Sequence, residues 1–291
     1  MEWWEAVVLG LVEGITEFLP VSSTGHLILT SWLLGLDAPE TKPSLDAFQI
    51  VVQGGAVLAV LLLYRERVSE MLRGLLGRSA AGRRLVGRLV LAFLPAALLG
   101  PVFDTAFHDR LFRPGPVLAA LLAGGVWMIW LGRRGPEGAG ATPVKAPARS
   151  LDEMPARMAL MIGLFQCVAL WPGTSRSMMT IAGGVLLGLR PKDAAEFSFL
   201  LGLPTLGAAS LYSLAMNLTE AQAAGGPTLF AALGPGAVLL GLAVATVSAA
   251  VAVHWLVGFL TRHGLAAFGW YRIALALVLG GLVLAGAVRV G

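Results

Sequence analysis

Residues 13 to 26, EGITEFLPVSSTGH, place two carboxylates, a proline, four hydroxyls and a histidine in fourteen positions. Glu13 and Glu17 are four apart, so on a helix both side chains leave from one face, one turn from each other. Two like charges that close in a poorly hydrated place repel unless a cation lies between them. The pair therefore points to a bound divalent metal, and oxygen-only ligands suit Mg²⁺ or Ca²⁺. A solvated pair at a membrane surface is the competing reading, and it is the one that suits Glu2 and Glu5. Depth argues against it for Glu13 and Glu17, which lie ten or more residues into an apolar run, where acids are functional by default.

His26 closes the string, directly after Ser22, Ser23, Thr24 and Gly25. In that company it is a candidate general base to a hydroxyl, or itself a nucleophile. His108, His254 and His263 lack such neighbours and read as hydrogen-bonded structural residues. A second string, PGTSRSMMT at 172 to 180, carries Gly173, Ser175, Arg176, Ser177 and Thr180. The planar fork of an arginine matches phosphate oxygens, and free N–H groups at a helix start add to an anion site. A purely structural role for Arg176, pairing with Glu13 or Glu17, is compatible with that when no substrate is bound. Glu196 is accounted for by a helix start and Gln53 by interhelical hydrogen bonding. Carboxylates for a metal, an arginine with hydroxyls for an anion, and a histidine with serines form a phosphoryl-transfer set. There is no Walker loop and no HExxH, which argues against a nucleotide hydrolase or a zinc protease.

The elements that position these residues are membrane helices. Of 291 residues 57% are hydrophobic and 13% charged, and the mean hydropathy is +0.79, far from the balance of soluble domains. Apolar runs at about 47–64, 89–103, 115–132, 197–214, 236–260 and 271–288 each approach the roughly 20 residues that cross ~30 Å of hydrocarbon. Without the alternation of a membrane barrel, the fold class is an all-α integral membrane protein. The net charge of +4 and pI near 9.7 do not indicate nucleic acid, because the basic residues concentrate between spans. Cys167, the single cysteine, excludes an intramolecular disulfide, and no cysteine–histidine spacing suits zinc. The amino terminus, MEWWEAVV, has acids where a secretory signal has basic residues, so it is expected to remain in the mature protein.

Two further apolar stretches, 3–35 and 156–189, are interrupted by FLPVSSTG and LWPGTSRS. Each is expected to be a re-entrant helix pair, since irregular backbone at membrane depth needs surrounding protein or a water-filled cavity. LPVSS at 19–23 matches WPGTS at 171–175, and in both halves a span beginning with Phe and two more spans follow. An odd number of crossings inverts the second half, which is an architecture of transporters. The expected organisation is one membrane domain, 1–291: repeat one about 1–132, a flexible cytoplasmic linker about 133–155, and repeat two about 156–291. With the amino terminus outside, fifteen Lys and Arg fall in the inner connections at 65–88, 133–157, 190–192 and 261–263, against four outside. The positive-inside rule selects that orientation.

EGITEFLPVSSTGH and PGTSRSMMT together resemble the two signatures, E-x-x-x-E and P-G-x-S-R-S-x-x-T, of the bacterial undecaprenyl-diphosphate phosphatases associated with bacitracin resistance. The likeness runs over nearly the whole chain, including QCVALWPG and EFSFLL. It implies hydrolysis of undecaprenyl diphosphate to the monophosphate carrier lipid and phosphate, for cell-wall synthesis, in the inner membrane with the site open to the outer face. It further implies that Glu13 and Glu17 are the essential acidic pair, Ser23 and His26 supply the nucleophile or base, and Arg176 binds phosphate. Ser22, Thr24, Gly25, Gly173, Ser175, Ser177 and Thr180 are the expected substrate-binding residues. The expected partners are a polyprenyl diphosphate lipid and the bilayer, with a homodimer permitted by the sequence and not specified by it. The alternative from the repeat architecture is a flippase or secondary transporter of a polyprenyl phosphate lipid, for which fold alone does not decide.

Overall fold

A computed structural model describes residues 1–36, 42–111, 113–133, 149–224 and 228–286. The described residues form helices, with one short 3₁₀ turn at Leu151–Glu153 and one isolated parallel bridge between Arg149 and Leu189. In chain order the helices are α1 (Trp3–Phe18), α2 (Ser23–Leu33), α3 (Lys42–Leu63), α4 (Arg65–Leu75), α5 (Ala80–Leu111) and α6 (Pro114–Arg133). They continue with α7 (Ala156–Val168), α8 (Arg176–Leu186), α9 (Pro191–Ala224), α10 (Leu229–Leu233), α11 (Pro235–His263) and α12 (Ala266–Leu284). Six of them, α3, α5, α6, α9, α11 and α12, are long and apolar enough to cross a membrane. The fold is thus an all-α integral membrane protein. Leu62, Leu98, Leu211 and Leu277 are 67 to 71% exposed, a surface suited to lipid and not to water.

The boundaries differ from the sequence expectation in three places. The region 65–88, expected to be a connection, holds the whole of α4 and the start of α5. Helix α4 is charged along much of its length, so hydropathy alone does not register it. Helix α5 runs through Pro95 and Pro101, as neighbouring helices allow in membrane proteins. The last span starts at Ala266 and not near 271, which draws Arg272 inside the bundle. The expected linker falls largely on 134–148, outside the described residues.

The packing exchanges partners between the two halves. Helix α1 lies along α11, and α7 lies along α5; α6 pairs with α12, and α3 with α9. Small residues permit the close approach. A Cβ on Gly10 would sit 2.5 Å from the Gly241 carbonyl oxygen, and one on Gly14 would collide with the Ser248 hydroxyl and the Ala245 carbonyl. A Cβ on Gly163 would sit 2.5 Å from the Ala92 carbonyl. Without a hydrophobic force between helices in lipid, such contacts carry the association.

One end of the bundle gathers the charges. Arg67 donates to Glu196 at 2.8 Å and to Asp152 at 3.1 Å, while Arg88 donates to the carbonyls of Leu151 and Asp152. Asp193 accepts from Arg190 at 2.6 Å and from the Leu151 amide at 2.8 Å. The two acids beside Arg67 hold its guanidinium above its ordinary range. Glu196 is therefore an ion-pair partner, and the helix dipole does not explain it alone. A cavity of about 810 Å³ at this end is lined by residues from all four segments expected to be inner connections, among them Arg67, Asp152, Lys192 and Arg262.

Candidate active site

Each interrupted helix pair breaks for a local reason. Helix α1 stops at Phe18 because Leu19 is extended (φ −69°, ψ 142°), the conformation required before Pro20. The chain then turns at Ser22, φ 75°, and α2 starts at Ser23. In the second pair the turn is made at Ser175, φ 74°, and α8 starts at Arg176. Among the described residues these two serines are the non-glycine positions with positive φ. They are structural equivalents, one position away from the motif match that aligned Ser23 with Ser175. The second break is longer, spanning 169–175 against 19–22 in the first. Backbone strain of this kind clusters at functional sites. Gly173, at φ +90°, admits no side chain, since a Cβ would lie 2.7 Å from the Val117 carbonyl. Helix α8 doubles back on α7, with Gly183 against the Phe165 ring.

The breaks meet. Arg176 Nη2 donates to Glu17 Oε1 at 3.3 Å, Nη1 donates to the Ser198 carbonyl at 2.9 Å, and the guanidinium lies 5.6 Å over the Phe18 ring. The Ser23 hydroxyl donates to Glu17 Oε2 at 2.9 Å. Both Glu17 oxygens are thus engaged, one by each break. The Ser177 hydroxyl donates to the Leu19 carbonyl at 2.9 Å, so the 3.0 Å contact between Ser175 and Ser177 is donated by Ser175. Thr180 donates back to the Arg176 carbonyl at 2.9 Å and accepts the Ser198 hydroxyl at 2.6 Å.

His26 turns away from this chain. Its Nδ1 lies 2.8 Å from the Ser22 carbonyl and its Nε2 lies 2.6 Å from the Tyr271 hydroxyl. A carbonyl only accepts, so in neutral imidazole Nδ1 carries the proton and Nε2 accepts from Tyr271. The two rings are stacked with centroids 5.5 Å apart. Of the other expected residues, Thr24 is half-buried with no hydrogen bond made by its side chain, and Gly25 packs on Leu121, Leu275 and Leu279. The expected structural roles of His254 and His263 do not hold: both are exposed, and His263 stacks on Phe259 at 4.6 Å. The side chain of His108 lies outside those described. Gln49, not Gln53, makes the interhelical hydrogen bond, to Ser31 at 3.1 Å.

Buried polar atoms without a hydrogen-bond partner concentrate here: both oxygens of Glu13, the Ser22 hydroxyl, the side-chain amide of Gln166, Arg176 Nε, and Nε and Nη1 of Arg272. Such groups are rare in folded proteins and call for an explanation. Ser198, Tyr271 and Arg272 were not anticipated from the sequence. An arginine inside an apolar helix is a signal in itself, but the span read from 271 placed Arg272 at its edge. Ser198 carries no comparable signal.

Six apolar helices enclosing two broken pairs whose acid and arginine meet define a multi-pass membrane protein with a polar site among its helices. The chain belongs to the family described as bacitracin resistance protein BacA, whose family model matches residues 6–278. It is 48% identical to an undecaprenyl-diphosphatase of Sorangium cellulosum, over 96% of this chain and 86% of the relative. It is 45% identical to undecaprenyl-diphosphatase 2 of Rhodospirillum rubrum, over 94% and 92% of the two chains. Identity to an undecaprenyl-diphosphatase of Methylococcus capsulatus is 43%, over 95% and 93%.

Proposed function

We infer that this protein is an undecaprenyl-diphosphatase, which hydrolyses undecaprenyl diphosphate to undecaprenyl phosphate and inorganic phosphate and so recycles the carrier lipid of cell-wall synthesis. The names of its relatives support this. The observation that carries it is the hydrogen-bonded chain Ser23–Glu17–Arg176, which sets a hydroxyl, its proton acceptor and a phosphate-binding cation side by side. In the reaction, Ser23 Oγ forms a bond to the terminal phosphorus and passes its proton to Glu17. The bridging P–O bond breaks, its electron pair leaving on the lipid monophosphate. Water then displaces Ser23, which regains the proton from Glu17. Arg176, released from Glu17, binds phosphoryl oxygens through its planar fork. His26, held by Ser22 and Tyr271, shapes the site and does not act as base to Ser23.

Glu13 and Glu17 would hold a divalent cation, Mg²⁺ or Ca²⁺. The two orphaned oxygens of Glu13 fit that role, as does an all-oxygen donor set. Among the described residues no third acid or histidine joins them, so phosphate oxygens and water would fill the remaining positions. A cation held by Glu13 and Glu17 would supply charge neutralisation to the diphosphate.

The same reading places the protein in the bacterial inner membrane with the amino terminus and the site on the outer side. The halves form inverted repeats with re-entrant pairs α1–α2 and α7–α8, a reading supported by the exchange of packing partners and by the Ser22 and Ser175 turns. The deciding experiment is phosphate release from undecaprenyl and farnesyl diphosphate by purified protein, with and without EDTA. Release that EDTA suppresses is expected; no release from either lipid would leave the transporter reading as the better account.

A further inference from the structure

Arg272 is fully buried in the middle of a bundle, with 0% of its surface exposed. Its Nη2 donates to the carbonyls of Ala120 at 3.0 Å and Gly173 at 2.8 Å, while Nε and Nη1 have no partner. Among the described residues no carboxylate pairs with it. A buried charge with neither a counter-ion nor a full set of hydrogen bonds is strongly unfavourable, a cost that an anion bound beside it would relieve. The surroundings agree. Gly173 belongs to the second break, three residues before Arg176, and Met178 at the start of α8 faces the same spot, lying 3.0 Å from where a Cβ on Gly124 would be. Tyr271, the residue before Arg272, holds the ring of His26, which lies in the first turn of α2 after the first break.

We propose that Arg272 is a second phosphoryl-binding cation, which together with Arg176 grips the two phosphoryl groups of a diphosphate. This rests on the diphosphatase reading. Arg272 reaches the Gly173 carbonyl within the second break and Arg176 opens the helix that follows it, so two forked donors belong to one short segment and suit two phosphoryl groups. A monophosphate occupies only one of them. The pair therefore makes the site selective for a diphosphate over a monophosphate, which lets the lipid product leave. Gly124 is part of the device: a Cβ there would lie 2.6 Å from Arg272 Nη2 and 3.1 Å from Cζ, so glycine leaves the guanidinium its place.

The test is calorimetric binding of inorganic pyrophosphate and of inorganic phosphate to the detergent-purified full chain in the presence of Mg²⁺, alongside phosphate release from farnesyl diphosphate. Wild type is expected to prefer pyrophosphate, and Arg272→Lys to lose at least tenfold of that preference. Gly124→Ala, which displaces the guanidinium without removing it, should lose preference in the same direction. Free guanidinium should restore pyrophosphate binding to Arg272→Ala, which a purely structural arginine would not show. Unchanged preference in a folded Arg272→Lys and in Gly124→Ala overturns the proposal, even if the wild type hydrolyses the lipid. Conversely, lost preference with a wild type inactive on lipid diphosphates leaves the anion site standing and sinks the diphosphatase reading.

Discussion

The Ser23 hydroxyl donates to Glu17 Oε2 at 2.9 Å, whereas both nitrogens of the His26 ring are engaged by Ser22 and Tyr271. On the proposed mechanism the base for the serine is the acid of α1, and the two side chains are separable by mutation. Glu17→Gln keeps size and removes the proton acceptor, and should lower kcat by at least a hundredfold, about 3 kcal/mol or more in the barrier. His26→Ala should cost less. Steady-state phosphate release measures both, and a larger loss in His26→Ala would reverse the assignment.

Arg176 spans Glu17 and the Ser198 carbonyl with two different nitrogens. Lysine keeps the charge and loses the fork. Arg176→Lys is expected to reduce kcat/KM about a hundredfold, near 3 kcal/mol. Activity within threefold of wild type would show that only a point charge is needed there.

Neither Glu13 oxygen receives a hydrogen bond from a donor, and the Glu17 carboxyl lies beside it. If a divalent cation is what it binds, Glu13→Gln should shift the Mg²⁺ dependence of turnover to much higher concentration while the melting temperature without metal stays unchanged or rises. Titration of activity against Mg²⁺ after EDTA treatment checks this. An unshifted midpoint would remove Glu13 from the metal site.

Gly14 sits between the two acids and faces Ser248 and Ala245 of α11. Gly14→Ala forces α1 away from α11, with an expected loss of roughly 1–3 kcal/mol from overpacking and a fall in activity as Glu13 and Glu17 move with the helix. Thermal unfolding in detergent reads the first effect and phosphate release the second. Wild-type values for both would mean that the interface is looser than its geometry.

Orientation is open to labelling. Arg78, in the turn between α4 and α5, and Thr219, the last residue of the apolar span of α9, are exposed. In a Cys167→Ala background, Arg78→Cys should react with an impermeant thiol reagent only after the cells are opened, and Thr219→Cys in intact cells. Labelling of both from one side would refute the inverted arrangement.

Some of this was settled by the sequence alone, because the determining interactions are local. Span number and helical class follow from the length of apolar runs, since a backbone in lipid must satisfy its own hydrogen bonds. The breaks follow from Pro20, Pro172 and the serines that follow each, and the acids and Arg176 stand out because charge is costly at that depth. Helix α4 was missed because a charged helix leaves no mark in hydropathy, and Arg272 because a shift of five residues in one boundary moved it from the edge of a span to its interior. Tertiary structure alone decided which groups meet. Glu17 and Arg176 are 159 residues apart and His26 and Tyr271 are 245 apart, and no periodicity encodes such a distance. Which partner takes the serine proton, which way the imidazole faces, and which buried arginine is left without an anion depend on how α1, α8 and α12 pack, and that is fixed by small-residue contacts between helices remote in the chain.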